Sequence, residues 1–167
     1  GFFFPCNGPL RPMAMHWDGT QWKPVRTPAL NTNDNAAFNS VVAFGANDVY
    51  AVGYQPATNG AVQTLIEHWN GSTWTVMTTP NPSATGNLLT AVAGTSSSDL
   101  WAVGTSTDEP TTSIQTLTLH FNGTTWSVVP SPNPLPKQFL EQNVFQSLTA
   151  TSSSDVTAAG YLLDSAS

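Results

Sequence analysis

The segment Glu67-His68-Trp69-Asn70-Gly71-Ser72-Thr73-Trp74 has a counterpart on either side of it. Met15-His16-Trp17-Asp18-Gly19-Thr20-Gln21-Trp22 precedes it and Leu119-His120-Phe121-Asn122-Gly123-Thr124-Thr125-Trp126 follows, with the histidines 52 residues apart both times. A second motif falls between these in the same order: Asn47-Asp48-Val49-Tyr50-Ala51-Val52-Gly53, Ser98-Asp99-Leu100-Trp101-Ala102-Val103-Gly104 and Ser154-Asp155-Val156-Thr157-Ala158-Ala159-Gly160. Two motifs recurring in one order require a series of equivalent units, each resting on its neighbours, rather than one irregular core.

Each repeat reads as four short strands. In the second full repeat, alternation over 88–94 predicts a first strand, Ser96-Ser97-Ser98-Asp99 a polar turn, and 100–105 a second strand. After a loop over 106–113, residues 114–121 read as a third strand, Asn122-Gly123 as a turn and 125–129 as a fourth strand. Asn-Gly and Asp-Gly suit a two-residue type I′ turn, so the third and fourth strands are expected to form a tight hairpin. The stretches Pro80-Asn81-Pro82 and Pro130-Ser131-Pro132-Asn133-Pro134 then end the outer strand, because proline cannot donate to a ladder.

Four antiparallel strands in each repeat, with aromatic residues at fixed places, predict an all-β fold: a β-propeller of four-stranded antiparallel blades stacked around a channel. On this phase, 1–27 holds strands three and four of a partial blade, 28–80 and 81–134 are whole blades, and 135–167 holds strands one and two of a further partial blade. Gly1 falls where Gly53 and Gly104 close the second-strand motif, so the chain is expected to begin within a blade. Two arrangements complete the ring: the remaining blades of a longer chain, which is preferred, or further copies of the chain joined head to tail by blade completion into a ring or filament.

These residues resemble the kelch-like and Asp-box-like propeller repeats of large secreted bacterial proteins. Those units follow the pattern Asp-x-Trp-Ala-Val-Gly, then His-Trp-Asn-Gly-x-x-Trp, then Pro-Ser-Pro-Asn-Pro. The resemblance covers essentially the whole chain and implies a secreted or cell-surface location. It is specific for fold and unspecific for function, since related propellers include lectins, sialidases and galactose oxidase. The chain departs from it by lacking the Gly-Gly doublet of kelch repeats, and Asn70-Gly71-Ser72-Thr73-Trp74 only echoes an Asp-box.

Composition narrows the partners. Only 8% of the 167 residues are charged, four Lys+Arg against ten Asp+Glu, for a net charge of −6. Without a cluster of cations the chain lacks the footprint that draws phosphate backbones or anionic lipid, so neither nucleic acid nor membrane insertion is expected. No apolar run approaches the roughly twenty residues that span a bilayer. The single cysteine, Cys6, has no partner within the sequence for a disulfide.

Recurrence argues for architecture, so His16, His68, His120, Asp48, Asp99, Asp155, Trp22, Trp74 and Trp126 are expected to be structural. The histidines are read as hydrogen-bonding beside the hairpin, the aspartates as accepting turn N–H bonds, and the tryptophans as packing between blades. Function is sought where the repeats diverge, in rim loops that present a glycan or extracellular protein ligand. The candidate ligand-binding residues are Tyr54, Asn31, Asn33, Asp34, Asp108 and Glu109. The Asn31, Asn33, Asp34 cluster offers oxygens that suit Ca²⁺ but not the spacing of an EF-hand, and no other cofactor is expected. No catalytic motif stands out: a sialidase-like site wants clustered arginines, and Arg11 and Arg26 are the only two. The expectation is therefore a non-catalytic recognition or adhesion scaffold, with a structural subunit and a fragment of a secreted propeller hydrolase or oxidase as alternatives. Asn70 and Asn122 also match the N-glycosylation sequon, at turns that explain them without a sugar.

Overall fold

The computed structural model describes residues 9–28, 35–109, 111–135 and 140–164. Among them the chain is all-β, with no helix. A hairpin, β1 (Ala14–Trp17) and β2 (Trp22–Val25), comes first. Next comes a four-stranded antiparallel sheet in chain order: β3 (Ala37–Gly45), β4 (Asp48–Pro56), β5 (Val62–Trp69) and β6 (Trp74–Val76). The same order recurs in β7 (Asn87–Ser96), β8 (Asp99–Thr107), β9 (Ile114–Phe121) and β10 (Trp126–Val128). The hairpin of β11 (Gln142–Ser152) and β12 (Asp155–Leu163) follows.

The repeat extends to backbone irregularities. The β3–β4, β7–β8 and β11–β12 ladders each slip twice, between Phe38/Ser40 and Ala43/Gly45, Leu89/Ala91 and Gly94/Ser96, and Phe145/Ser147 and Ala150/Ser152. These bulges explain the glycine that ends the second motif. Gly53, Gly104 and Gly160 each lie opposite a bulge, where a Cβ would run into the carbonyl oxygen of Ala37, Leu88 or Val144.

Successive units touch through one parallel backbone pair, Val62 with Gly86 and Ile114 with Gln142. The rest of the junction is side chains. Because residues alternate across a strand, Tyr50, Val52 and Ile66 share one face of the first sheet. They pack with Leu100, Ala102, Leu119, Phe121 and Trp126 of the second in one core cluster. Val52, Ile66, Leu100, Ala102 and Leu119 are fully buried, each larger member contributing roughly 2 kcal/mol by leaving water. The Tyr50 and Phe121 rings lie 6.2 Å apart, and the Tyr50 hydroxyl donates to the Ser97 carbonyl at 3.3 Å. Asn39 Nδ2 donates to the Leu89 carbonyl at 2.7 Å across the same junction, and Thr90 Oγ1 to the Phe145 carbonyl at 2.7 Å across the next.

The hairpin turns differ from the type I′ expectation. Trp69 pairs with Trp74 and Phe121 with Trp126, which makes each loop four residues long. Only the glycines of these loops have positive φ, at 97° for Gly19, 95° for Gly71 and 90° for Gly123. The preceding side chain explains the difference: Asn70 Oδ1 accepts from the N–H groups of Ser72 and Thr73, both at 3.0 Å, and Asn122 Oδ1 accepts from Thr124 at 3.0 Å and Thr125 at 2.9 Å. An Asx turn of this kind satisfies the loop N–H groups without forcing Asn into a left-handed conformation.

Candidate functional site

Two of the three recurring aspartates, Asp48 and Asp99, bind histidines rather than the turn N–H groups expected of them, while Asp99 and Asp155 brace their turns by accepting from the Thr95 and Thr151 hydroxyls. His68 Nε2 lies 2.8 Å from Asp48 Oδ1, and His120 Nε2 lies 2.8 Å from Asp99 Oδ1. Each pair clips the second strand of its sheet to the third, and an aromatic ring lies against the histidine: Tyr50 stacks on His68 and Trp101 is tilted over His120, both with centroids 4.4 Å apart. Asp99 also accepts from Thr95 Oγ1 at 2.6 Å; with the His120 bond second, this holds its carboxyl below the usual range. Turn N–H groups are instead taken by the residue after the first hairpin aromatic. At that place Asp18 accepts from Thr20 and Gln21, each at 2.9 Å, and pairs with Lys23 at 2.7 Å, which lowers its pKa.

Two sets of asparagines, passed over in the sequence, hold the sheets in place. Asn81 Oδ1 accepts from the Thr64 N–H at 2.8 Å and Asn133 Oδ1 from the Thr116 N–H at 2.7 Å, so each Pro-Asn-Pro segment continues the edge of the third strand after the short fourth one ends. Asn87 and Asn143 are buried at the entry to the first strand. Asn87 bonds both ways with the Ser83 backbone, at 3.0 and 2.7 Å, and Asn143 with that of Leu135, at 3.0 and 3.3 Å. The signal was present in the repeat, since Asn81 and Asn133 are 52 residues apart like the histidines.

The divergent residues separate in space. Asp108 and Glu109 wall a groove of about 500 Å³ with Ser83, Ser106, Thr107, Gln115, Ser131 and Asn133. Asp108 is anchored by its backbone, donating to Ser113 at 2.8 Å and accepting from the Thr112 N–H at 2.8 Å, while Thr111 Oγ1 donates to its carboxylate at 3.1 Å. Glu109 is exposed at the rim. Tyr54 lies half-buried at the end of β4, paired with Thr64, and takes no part in this groove. Asn31, Asn33, Asp34 and Cys6 lie outside the described residues.

A second cavity, of about 740 Å³, separates the β1–β2 hairpin from the first sheet. Its walls include Met13, Met15 and His16 on one side and Ala51, Trp69 and Trp74 on the other. Beside Ala51 on that sheet sits Glu67, 0% exposed, with neither carboxylate oxygen hydrogen-bonded. Loss of water pushes its pKa from 4.5 up to about 7. Its counterparts in the neighbouring repeats are Met15 and Leu119, so a carboxylate occupies a place that the repeat otherwise gives to an apolar side chain.

Among the described residues no group of three or more His, Cys, Asp and Glu side chains converges as metal ligands would. No helix there is long and apolar enough to cross a membrane. No protein-family model matches the chain, and no curated protein sequence matches it.

Proposed function

We propose that the chain is a section of a β-propeller that serves as a non-catalytic, extracellular or cell-surface recognition scaffold, and that its ligand is a glycan held in the groove of Asp108 and Glu109. Repetition of the four-stranded sheet, its bulges and its single-bridge junction supports a propeller over a sandwich, in which no unit need repeat its neighbour. The motif residues are occupied in holding strands together: Asp48 and Asp99 by histidines, Asn70 and Asn122 by their turns, Asn81 and Asn133 by strand edges. That leaves recognition to the divergent loops.

The observation that carries the reading is the lining of that groove. It gathers two carboxylates and several hydroxyls in one concave surface beside the divergent loop that carries Asp108 and Glu109. Such a mixture of donors and acceptors suits a polyhydroxylated ligand better than an apolar one. The test is a glycan array probed with the chain and with Asp108→Asn/Glu109→Gln. Binding that the double variant loses supports the reading. Binding that it keeps, or an array on which the chain finds nothing, overturns it.

A further inference from the structure

One amide oxygen at the groove of Asp108 and Glu109 has no partner. Gln115 lines that groove and is only 5% exposed. Its Nε2 donates to Ser113 Oγ at 3.1 Å and to the Ile114 carbonyl at 3.3 Å, while its Oε1 has no hydrogen bond. Turning the amide over gives no relief, because it sets Oε1 against the Ile114 carbonyl, acceptor against acceptor. A buried acceptor without a donor is costly, and the fold keeps this one beside two carboxylates.

The β8–β9 ladder brings these oxygens together. Ser106 lies opposite Gln115, and beyond it the Asp108 N–H donates to the Ser113 carbonyl. Alternation therefore puts Ser106, Asp108, Ser113 and Gln115 on one face of the sheet. Ser113 Oγ, which accepts from Gln115, lies 3.0 Å from Thr111 Oγ1, and Thr111 Oγ1 donates to Asp108 Oδ2 at 3.1 Å. The hydrogens of this chain all point toward Asp108, which leaves the amide oxygen at its far end. The turn itself does not call for a carboxylate. In the preceding sheet Ala57 holds the place of Asp108, its N–H donating to the Ala61 carbonyl at 2.8 Å.

We propose that this groove binds Ca²⁺, with the carboxylates of Asp108 and Glu109 and the Oε1 of Gln115 as its protein ligands. The donor set is all oxygen, which suits a hard cation, and the described residues lining the groove include no Lys, Arg or His to oppose its charge. Two carboxylates alone make no metal cluster; the buried amide oxygen supplies a third ligand, and water completes the shell. Ca²⁺ fits better than Mg²⁺, because ligands drawn from a loop and a strand suit its flexible coordination, whereas Mg²⁺ demands a near-ideal octahedron. The site deepens the glycan reading of the groove and rests on it only for its use: an ion that carries water on its outer side exchanges that water for the hydroxyls of a sugar.

The experiment is a calorimetric titration of the chain with Ca²⁺, with no sugar present. A Kd of about 0.1–1 mM is expected, the range of extracellular Ca²⁺ modules. Asp108→Asn/Glu109→Gln should weaken binding at least about tenfold, since the charge of the ligands sets affinity. Gln115→Glu should instead tighten it about tenfold by adding a charged ligand, a gain that a glutamine serving only to pack the sheet does not predict. Unchanged circular dichroism confirms that the variants fold. Absence of binding up to about 10 mM Ca²⁺, an affinity that the double variant keeps, or a Gln115→Glu chain that binds no tighter overturns the proposal. Ca²⁺ binding by a chain that finds nothing on the glycan array leaves the ion site standing and overturns only the glycan reading.

Discussion

Glu67 should make this chain lose stability as the pH rises through neutrality. Its carboxyl is 0% exposed with neither oxygen bonded, and its pKa rises from 4.5 to about 7. In the unfolded chain the group ionises near the lower value, whereas the folded chain keeps its proton until the higher one. The stability this proton provides is therefore fully present below pH 4.5 and is lost as the pH climbs through 7. At 1.36 kcal/mol for each pH unit between the two values, the loss comes to roughly 3 kcal/mol. Glu67→Leu installs the side chain that the next repeat has at Leu119. Urea melts from pH 4.5 to 8.5, followed by tryptophan fluorescence, should show the variant more stable by about 1–3 kcal/mol already at the acid end, since even the protonated carboxyl is buried without a hydrogen bond. At the alkaline end that difference should widen by roughly a further 3 kcal/mol. Glu67→Gln should flatten the same pH dependence without adding apolar surface. Parallel curves for the parent and both variants would refute the reasoning, because they would mean that Glu67 ionises alike in the folded and unfolded chain.

Asn133→Ala removes the acceptor for the Thr116 N–H and Oγ1, and should cost about 1–3 kcal/mol in a chemical melt; an unchanged midpoint would mean that water replaces it freely. Asp99, held below the usual carboxylate range chiefly by Thr95 and then by His120, contributes stability that is present above its unfolded pKa and lost as the pH falls through its folded one. Asp99→Asn should therefore make stability less sensitive to acid below pH 4, as read by thermal melts across that range.

How much of this was legible in the sequence depended on whether a residue's partner was local or came from another strand. His68 and His120, at constant spacing beside an Asn-Gly pair, located the hairpins, and alternation located the strands. The same Asn-Gly pairs misled on turn type, because the type I′ preference considers backbone tolerance, whereas Asn70 acts through its side chain. Asp48 and Asp99 were assigned to nearby turn N–H groups, yet the histidines they bind lie 20 and 21 residues away across a ladder, and the one local partner, Thr95 on Asp99, is a side-chain hydroxyl. Asn81 and Asn133 sat among prolines and read as linker, since nothing local announces that they bond a strand 17 residues back. Glu67 stood in view beside Leu119 in the repeat, but only burial turns a polar residue in a strand into an ionisation problem. Of the candidate ligand residues, Asp108 and Glu109 share a groove because one loop carries both, while Tyr54 belongs to a different sheet.

The single-bridge junction, Val62 with Gly86 and then Ile114 with Gln142, bears on how such a chain can lengthen over evolutionary time. Each unit meets the next through one backbone pair, one buried asparagine and a set of side chains that come round again one repeat later. Tandem duplication of a DNA segment one repeat long therefore yields joints of a kind the protein already makes, whichever codon the copied segment begins with. Selection need not supply a new kind of interface before an added unit can pack on its neighbour.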